Sequence, residues 1–418
     1  MAHPFECCLE TLEQAKEPGE LTEHMARKKS LLSRIAFQIW RAVQIAIWAV
    51  PALVMWFTPY RVGKPGMKAI GQLAAEPDYF LKKRALGDYR SIEPIFFNKS
   101  GKEVNRALFD VWARHVKVTT NRIAYDLIRP FEFFPFLRID FVDVLLPTDS
   151  PAQYQRIAGQ WGDRPPIFRL PDEILERGYR AVREMGVPDG AWFVPIHARD
   201  GIFAPTVEHV YDYRNCAMAN YGAAIDAIIA RGGWCIRMGE KGTPAIPERR
   251  GVINYPDTPF KSDWMDLFLC NQARFFLGNT SGLKMVSTIS SVPCAAANMI
   301  PHDCAFGFLQ SDISIPKLLR LKNGTMPRFA EIFASEISRY HDSREFTEKG
   351  VVLLENTPEQ IRDLAIEMLD ALDGKTLRTP EDEARQEAFR RLLTPCHHSY
   401  GTRSRIGTAF LREHAHLL

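Results

Sequence analysis

The sequence predicts an α/β protein of two domains, built on a parallel sheet that is flanked by helices. The chain has 418 residues, more than one ordinary hydrophobic core accommodates, so we expect two domains. Strand-like and helix-like segments alternate from Tyr60 onward with short connections between them, as a parallel sheet requires. Hydrophobic residues make up 46% and charged residues 25%, which is typical of a folded globular protein.

The order of elements gives the expected domain boundaries. A basic and apolar segment occupies 1–59, a first Rossmann-like domain 60–185, a second Rossmann-like domain 186–350, and helices that pack back on both domains 351–418. The second domain has the clearer pattern: strands at 192–196, 234–238, 251–255, 274–277 and 292–297, and helices at 219–231, 262–272 and 282–290. In the first domain we expect strands at 92–97 and 116–118, helices at 102–115 and 171–185, and irregular structure at 130–147.

Composition excludes several function classes. A formal net charge of +3, without a dense basic run outside the N-terminus, argues against a nucleic-acid partner. The 8 cysteines include no Cys-x-x-Cys pair, so neither a zinc site nor a redox dithiol is expected, and we infer a reducing, cytoplasmic compartment. His397 and His398 adjoin Cys396 but have no second ligand cluster, so no metal is expected there.

The N-terminal segment favours contact with a membrane surface through residues 27–57. An apolar run at 42–57 contains Trp48 and Trp56 and follows five basic residues: Arg27, Lys28, Lys29, Arg34 and Arg41. The run is shorter than the roughly 20 residues that span a bilayer, and it lacks the end of a secretory signal. A basic, tryptophan-bearing helix suits the membrane interface. A short or re-entrant span, or a helix packed on the protein's own core or on a partner, remains the alternative.

His197, Arg199 and Asp200 follow the first strand of the second domain. His197 and Arg199 are two residues apart, so their side chains leave an extended backbone on the same side. An arginine can bind phosphate with two parallel hydrogen bonds, and a histidine can act as a base, a donor or a second anion contact near neutral pH. Asp200 can orient either side chain. The structural alternative, a salt-bridged strand end with a satisfied histidine, is about equally compatible with this short motif.

A polar turn made of Asn279, Thr280, Ser281 and Gly282 separates a buried strand from a helix. The free N–H groups at a helix start, together with the helix dipole, form a site for anions, and the two hydroxyl groups add donors. The structural alternative is simple capping of the helix by Ser281.

A third strand exit carries Arg237, Gly239 and Lys241. Glycines at this exit permit close approach of the backbone, and both cations can reach an anion, although a plain strand-to-loop connection would look the same. Parallel strands of one sheet end at the same edge, where ligands of open α/β sheets bind. Cations, hydroxyls and amides at three strand exits, with no acidic cluster between them, predict a pyrophosphate site that needs no divalent metal. Asp263 and Asp266, three apart on a helix, are interpreted as structural.

At these residues the chain resembles a bacterial family of glycosyltransferases with a His-x-Arg-Asp signature, here His197 to Asp200. Six further matches fit the pattern: Arg214-Asn215, Tyr221, Ile236 to Gly239, Ser262 with Asp263 and Asp266, Gly278 to Gly282, and Leu354 to Pro358. The match is strongest from Trp192 to Pro301. More remotely, the His-x-Arg pair is similar to that of the fucosyltransferase superfamily, whose members have a GT-B fold of two Rossmann-like domains facing each other across a cleft and work without metal.

The resemblance implies a hexosyl- or fucosyl-type transferase whose first domain binds the acceptor and whose second domain binds a nucleoside-diphosphate sugar. Arg199 would bind the β-phosphate of the donor, His197 would support it, and Thr280 and Ser281 would flank it. With the N-terminal segment, this predicts transfer to a lipid-linked or polysaccharide acceptor of the cell envelope by a cytoplasmic enzyme peripheral to the inner membrane. A sugar-nucleotide epimerase of the same fold and a non-catalytic assembly subunit that docks a membrane complex remain alternatives.

Overall fold

The computed structural model describes residues 31–66, 69–97, 104–139, 150–202, 208–304, 306–395 and 397–418. Cysteine 396 and the first 30 residues therefore lie outside the described residues, as does the basic cluster at 27–29. The chain divides into two compact units that alternate along the sequence. Unit 1 comprises 1–64, 91–101 and 116–140, and unit 2 comprises 65–90, 102–115 and 141–418.

The helices, in chain order, are α1 (Leu31–Trp56), α2 (Ile70–Leu86), α3 (Arg106–Trp112), α4 (Arg122–Ile128), α5 (Ser150–Trp161), α6 (Asp172–Glu184), α7 (Glu208–Tyr211), α8 (Gly222–Ala230), α9 (Asp263–Asn271), α10 (Gly282–Ile289), α11 (Phe329–Ala334), α12 (Ser343–Glu348), α13 (Pro358–Leu372), α14 (Pro380–Leu392) and α15 (Thr408–Glu413). The strands are β1 (Tyr60–Gly63), β2 (Glu93–Phe97), β3 (Lys117–Thr119), β4 (Phe193–His197), β5 (Trp234–Arg237), β6 (Val252–Asn254), β7 (Phe276–Gly278), β8 (Cys294–Met299), β9 (Ile313–Pro316), β10 (Leu318–Arg320), β11 (Val352–Leu354) and β12 (Arg405–Ile406).

Unit 1 contains a small parallel sheet in the order β1-β2-β3. Both pairs of neighbouring strands are parallel, with Tyr60 opposite Glu93 and Ile95 opposite Lys117. Two short 3₁₀ helices, Arg129–Phe133 and Pro135–Leu137, follow α4 in the part of the chain for which the sequence predicted irregular structure.

Helix α1 is longer than the apolar run that the sequence suggested. It has 26 residues, and its Ile35–Trp56 portion is 22 residues long and apolar enough to cross a membrane by length and composition. One face packs inside unit 1, with Ile45, Trp48, Ala52 and Met55 against the aromatic residues of the 3₁₀ helices. The opposite face is exposed and also apolar: Ile39, Val43, Ile47, Val50, Val54 and Phe57.

Unit 2 is built on a seven-stranded sheet in the order β12-β9-β8-β7-β4-β5-β6, and every pair of neighbours is parallel. The predicted α/β class with a parallel sheet is therefore confirmed. Apolar side chains of β4, β7 and β8 share one core with α8 and α13, as β-strands buried on both faces require. Residues of the C-terminal helices, including Phe389 and Phe410, belong to the same core.

Several elements differ from the expectation. Helix α3 covers Arg106–Trp112 of the described part, 104–115, of the expected helix. It begins where Asn105 caps it by accepting a hydrogen bond from the backbone N–H of Leu108. Helices α2 and α5 were not predicted, and α2 contains Pro77. Ser262 occupies the N-cap position of α9, but its hydroxyl donates to the carbonyl of Phe260 and makes no capping hydrogen bond.

Candidate functional site

The three predicted strand exits lie side by side. Strand β4 is hydrogen-bonded to β7 on one side and to β5 on the other, and all three run in the same direction. The segments that follow His197, Arg237 and Gly278 therefore leave the sheet at one edge, where ligands of parallel sheets bind.

His197 ends β4 as a neutral imidazole. Burial lowers the pKa of its ring to about 4, although a hydrogen bond to the backbone of Met238 acts in the opposite direction. Its buried Nδ1 atom has no hydrogen-bond partner among the described residues. Near neutral pH the ring therefore carries no positive charge to offer a phosphate, and the unpartnered nitrogen suits a ligand hydroxyl instead.

Arg199 is fixed by backbone and side-chain contacts on the segment between α7 and α8. Its Nη1 atom donates to the carbonyl of Tyr211 at 3.2 Å and to the side-chain oxygen of Asn215. Lys317 secures the same segment by donating to the carbonyl groups of Tyr213 at 3.0 Å and Asn215 at 2.6 Å. Asn215, named from the sequence only as part of the family pattern, thus helps Tyr211 to orient the guanidinium group.

Asp200 has a local role in the described structure. Its Oδ1 atom accepts a hydrogen bond from the backbone N–H of Ile202 at 3.0 Å, which closes a tight turn after β4. The residues that follow, 203–207, lie outside the described residues.

Asn279 connects the exits of β4 and β7. It is fully buried, and its Oδ1 atom accepts from the backbone N–H of Arg199 at 3.1 Å. Its Nδ2 atom donates to the carbonyl of Arg214 at 2.7 Å. One amide side chain therefore sets the path of both segments that carry Arg199 and its partners.

The polar turn after Asn279 leads directly into α10. Thr280 donates to the carbonyl of Ile300 at 3.1 Å, and Ser281 caps the helix by accepting from the backbone N–H of Lys284 at 3.4 Å. Capping by Ser281, the structural alternative for this turn, is thus present. Ser281 accepts from only one of the N–H groups in the first turn, so the others need an acceptor from outside the helix.

A second helix start approaches this turn. A Cβ atom at Gly282 would lie 2.5 Å from Cγ2 of Ile70 and 2.9 Å from the backbone nitrogen of Gly71, both in the first turn of α2. The N-cap residue of α2 is Ala69, whose side chain has no acceptor for the amides of that turn. The positive ends of two helix dipoles therefore meet at Gly282, and the absence of a side chain there allows the approach.

Lys284 is a further cation of this region that sequence reasoning missed. It lies in the first turn of α10 and is 4% exposed, and its Nζ atom is 5.3 Å from the centroid of the Phe308 ring. A lysine in a first turn opposes the helix dipole. Burial raises the pKa of the Asp312 carboxyl and the Lys284 ammonium lowers it, so this carboxyl lies close enough to offset part of the lysine's charge. The mismatch between the lysine and the dipole, visible in the sequence, could have identified it.

Arg237 is not exposed at all and is held by side chains and backbone. It donates from Nε to Asn254 at 2.9 Å, from Nη1 to Thr243, and from Nη2 to Asp257. Gly239 follows with φ of 126°, a conformation that favours glycine, and Lys241 is exposed. Arg237 thus fixes the loop that carries Lys241.

The two aspartates of α9 have local partners. Asp263 accepts from the backbone N–H of Arg106 at 2.7 Å, and Asp266 pairs with Lys261 at 2.6 Å. Burial raises the pKa of the Asp266 carboxyl to about 6, although the Lys261 ammonium lowers it. Both contacts agree with the structural interpretation of this pair.

Comparison with known proteins gives similarity to solved structures only. No family model matches the chain, and no curated protein matches it. A family 9 glycosyltransferase from Veillonella parvula is 12% identical, with a TM-score of 0.37 over 56% of this chain and 79% of that one. The ADP-heptose lipopolysaccharide heptosyltransferase II of Escherichia coli is 12% identical, with a TM-score of 0.44 over 75% and 98%. An iron-containing dodecameric glycosyltransferase of enterotoxigenic E. coli is 12% identical, with a TM-score of 0.35 over 58% and 59%.

Proposed function

We propose that this protein transfers a sugar from a nucleoside-diphosphate sugar to an acceptor of the cell envelope, without a metal ion. The observation that carries the proposal is the bridge made by Asn279, which joins the β4 exit to the turn that opens α10. Around that turn two helix starts supply positive potential for a diphosphate.

In the proposed step the bond between the anomeric carbon of the sugar and the diphosphate oxygen breaks, and the oxygen of the acceptor hydroxyl bonds to the same carbon. The proton of that hydroxyl passes to a general base or to water. The diphosphate gains negative charge as it leaves. Preorganised amides and cations stabilise such charge because they need no rearrangement during the reaction. Arg199 binds the diphosphate in this scheme, and Tyr211 and Asn215 fix its orientation.

The role that we assign to His197 differs from the one that the resemblance implied, which was to support Arg199 at the donor phosphate. Because its ring is neutral near pH 7, we assign it a hydroxyl of the donor rather than a phosphate. Arg237 is assigned to hold the loop after β5, and Lys241 on that loop is assigned to the nucleotide phosphates.

Donor binding is the first test. We expect a thermal-shift panel of UDP-, GDP-, ADP-, dTDP- and CMP-sugars to raise the melting temperature with one nucleotide class. Arg199→Ala should abolish that rise, whereas the matched control Arg231→Ala, which removes a surface pair with Asp370, should keep it. A flat response to the whole panel would favour an assembly subunit. Turnover of a soluble sugar nucleotide without any acceptor would favour an epimerase.

We also propose that α1 lies in the plane of the inner membrane on its cytoplasmic side. The packed face of the helix makes aromatic contacts from Trp40–Phe133 at 5.5 Å to Trp56–Phe136 at 5.8 Å, and the opposite stripe, which is the more exposed of the two faces, is the one that we assign to lipid. Within 35–64, 91–97 and 116–139, unit 1 has seven basic and three acidic residues, a net charge of +4. An apolar stripe on a basic unit suits an anionic membrane.

Vesicle sedimentation tests this orientation. We expect the chain to sediment with anionic phosphatidylglycerol vesicles and to be released by salt. A double variant, Ile39→Glu with Ile47→Glu, should abolish binding because it would place charges in the acyl layer. Both isoleucines are about 60% exposed on the stripe. Leu377→Glu, at an exposed apolar position of unit 2, is the control and should bind as the parent does. Equal binding by all three proteins would refute the proposed orientation.

A further inference from the structure

An apolar groove of about 540 Å³ runs along the flank of α1 in unit 1. The helix contributes Val50, Pro51, Val54 and Met55 to its wall, and the other lining residues are Thr58, Tyr60, Ile95, Ile128 and Phe131. Its volume lies within the range of roughly 300–1,000 Å³ that is usual for ligand sites. Apolar atoms form almost all of the lining surface, so the groove offers a ligand contact area and hardly any hydrogen-bond partners.

The groove is continuous with the exposed stripe of α1. Val50 and Val54 belong to both surfaces, with 71% and 63% of their area exposed. Ile128, another lining residue, ends α4, on which Ile123 and Leu127 are exposed. If the stripe rests in the acyl layer of a membrane, the groove therefore opens into that layer.

A cation adjoins one of the lining residues. The exposed Lys117 places its Nζ atom 4.1 Å from the centroid of the Tyr60 ring and 2.7 Å from the Tyr60 hydroxyl. An ammonium group next to an apolar groove complements the two parts of an anionic lipid, a hydrocarbon chain and a phosphate. The net charge of +4 on the described part of unit 1 acts in the same direction.

We propose that this groove holds one hydrocarbon chain of the anionic membrane lipid that carries the sugar acceptor, with the lipid phosphate next to Lys117. The inference rests on the proposed membrane contact of α1 and names the class of molecule that carries the accepting hydroxyl, a phosphate-bearing lipid with a long hydrocarbon chain. Such a lipid would be withdrawn partly from the bilayer, so that its headgroup is held by unit 1 at the membrane surface.

Photocrosslinking of the full chain tests the groove without any sugar donor. The probe is a phosphatidylglycerol with a diazirine at the end of one acyl chain, diluted into phosphatidylglycerol vesicles. We expect crosslinks at Ile95 and Ile128, which line the groove away from α1. The same vesicles are used to measure sedimentation, so that loss of binding to the membrane and loss of entry into the groove are separated.

Two tryptophan substitutions on the same face of α1 form a matched pair. Val54→Trp fills the groove from an exposed position, and Val43→Trp adds the same bulk about three turns earlier, outside the groove. We expect Val54→Trp to reduce crosslinks at Ile95 and Ile128 at least fivefold with unchanged sedimentation, and Val43→Trp to leave them unchanged. Lys117→Ala should weaken the same crosslinks about threefold.

Other outcomes would overturn the inference. Crosslinks confined to the exposed stripe, and insensitive to Val54→Trp, would mean that lipid touches α1 without entering the groove. Crosslinks at Ile95 that appear only after removal of residues 1–30 would mean that the protein's own N-terminal segment fills it. Crosslinks between two protein chains at these residues would assign the groove to a second copy. Donor binding in the thermal-shift panel is independent of each result, so a failure of this inference is distinguishable from a failure of the proposed transferase activity.

Discussion

Asn279 and Arg199 are joined by a hydrogen bond of 3.1 Å from the backbone N–H of Arg199 to Oδ1 of Asn279. The two residues follow neighbouring strands, β7 and β4, and are 80 positions apart in the sequence. The Nδ2 atom of the same amide donates to the carbonyl of Arg214. A single buried side chain therefore fixes the backbone next to Arg199, the candidate phosphate-binding residue, and next to its partner Asn215.

Asn279→Ala should therefore destabilise the protein and weaken donor binding together. Loss of the amide removes two partly buried hydrogen bonds, the one from the backbone N–H of Arg199 and the one to the carbonyl of Arg214. Each is worth about 0.5–1.5 kcal/mol, so we expect a loss of about 1–3 kcal/mol. Urea unfolding measures the stability and the thermal-shift panel the binding. Asn323→Ala removes an exposed asparagine whose side chain accepts two solvent-exposed hydrogen bonds from Thr325, and it should change stability by less than about 1 kcal/mol. Equal stability of the two variants would contradict the bridging role.

Gly282→Ala should be destabilising, whereas Gly222→Ala should not. Both glycines are the first residue of a helix, but a Cβ atom at Gly282 would lie 2.5 Å from Ile70 and 2.9 Å from the backbone of Gly71, while a Cβ at Gly222 would meet nothing within 4 Å. We expect a cost of about 1–3 kcal/mol at Gly282 from overpacking. At Gly222 a gain of up to about 1 kcal/mol is expected from the lower entropy of the unfolded chain. A neutral Gly282→Ala would show that the two helix starts are not held in close contact.

The sequence predicted the large sheet better than the elements around it. Strands β4 to β8 are short apolar runs bounded by glycine or polar turns, and this local pattern is sufficient to place them and to predict that they are parallel. The pattern of α2 is less regular: Pro77 interrupts it, and the buried charges Glu76, Asp78 and Lys82 replace the apolar residues that mark a helix face. These charges are tolerated because they have partners, as Lys82 has in Asp78 at 2.7 Å.

The candidate site was predictable in its position and less so in the roles of its residues. The order of the elements is sufficient to predict that the ends of neighbouring parallel strands lie at one edge of the sheet. Whether a basic side chain at such an end is buried or exposed depends on contacts with residues elsewhere in the sequence. Arg237 and Lys241 carry the same charge, yet only the fold shows that Asn254 and Asp257 enclose the first and leave the second at the surface. The proximity of α2 to α10 is also a long-range contact that no local pattern encodes.

Substitutions at Arg237 and Lys241 should consequently have different effects, the first on the stability of the protein and the second on donor binding. Arg237→Met removes the hydrogen bonds of a fully buried guanidinium to three residues, Asn254, Thr243 and Asp257. We expect a loss of about 2–4 kcal/mol in unfolding free energy, because these polar partners lose their donors. Lys241→Ala should leave stability unchanged and weaken donor binding about tenfold. Urea unfolding and donor titration, carried out on both variants, check the two effects. A stable Arg237→Met variant that loses donor binding would instead place that guanidinium on the ligand.

His197 should make stability depend on pH below its ordinary pKa. Burial lowers the pKa of the folded-state ring from 6.5 to about 4, so between these values the unfolded chain binds the additional proton. Stability is therefore fully present above about pH 6.5 and is lost as the pH falls towards 4, by about 3 kcal/mol for this one group. His197→Gln should remove that part of the decline measured by urea unfolding at pH 7.5, 5.5 and 4.5, while the contribution of His302, with a pKa also lowered to about 4, remains. His209→Gln alters an exposed ring and should retain the parent's slope, and an identical slope in all three proteins would show that His197 is not buried in its neutral form.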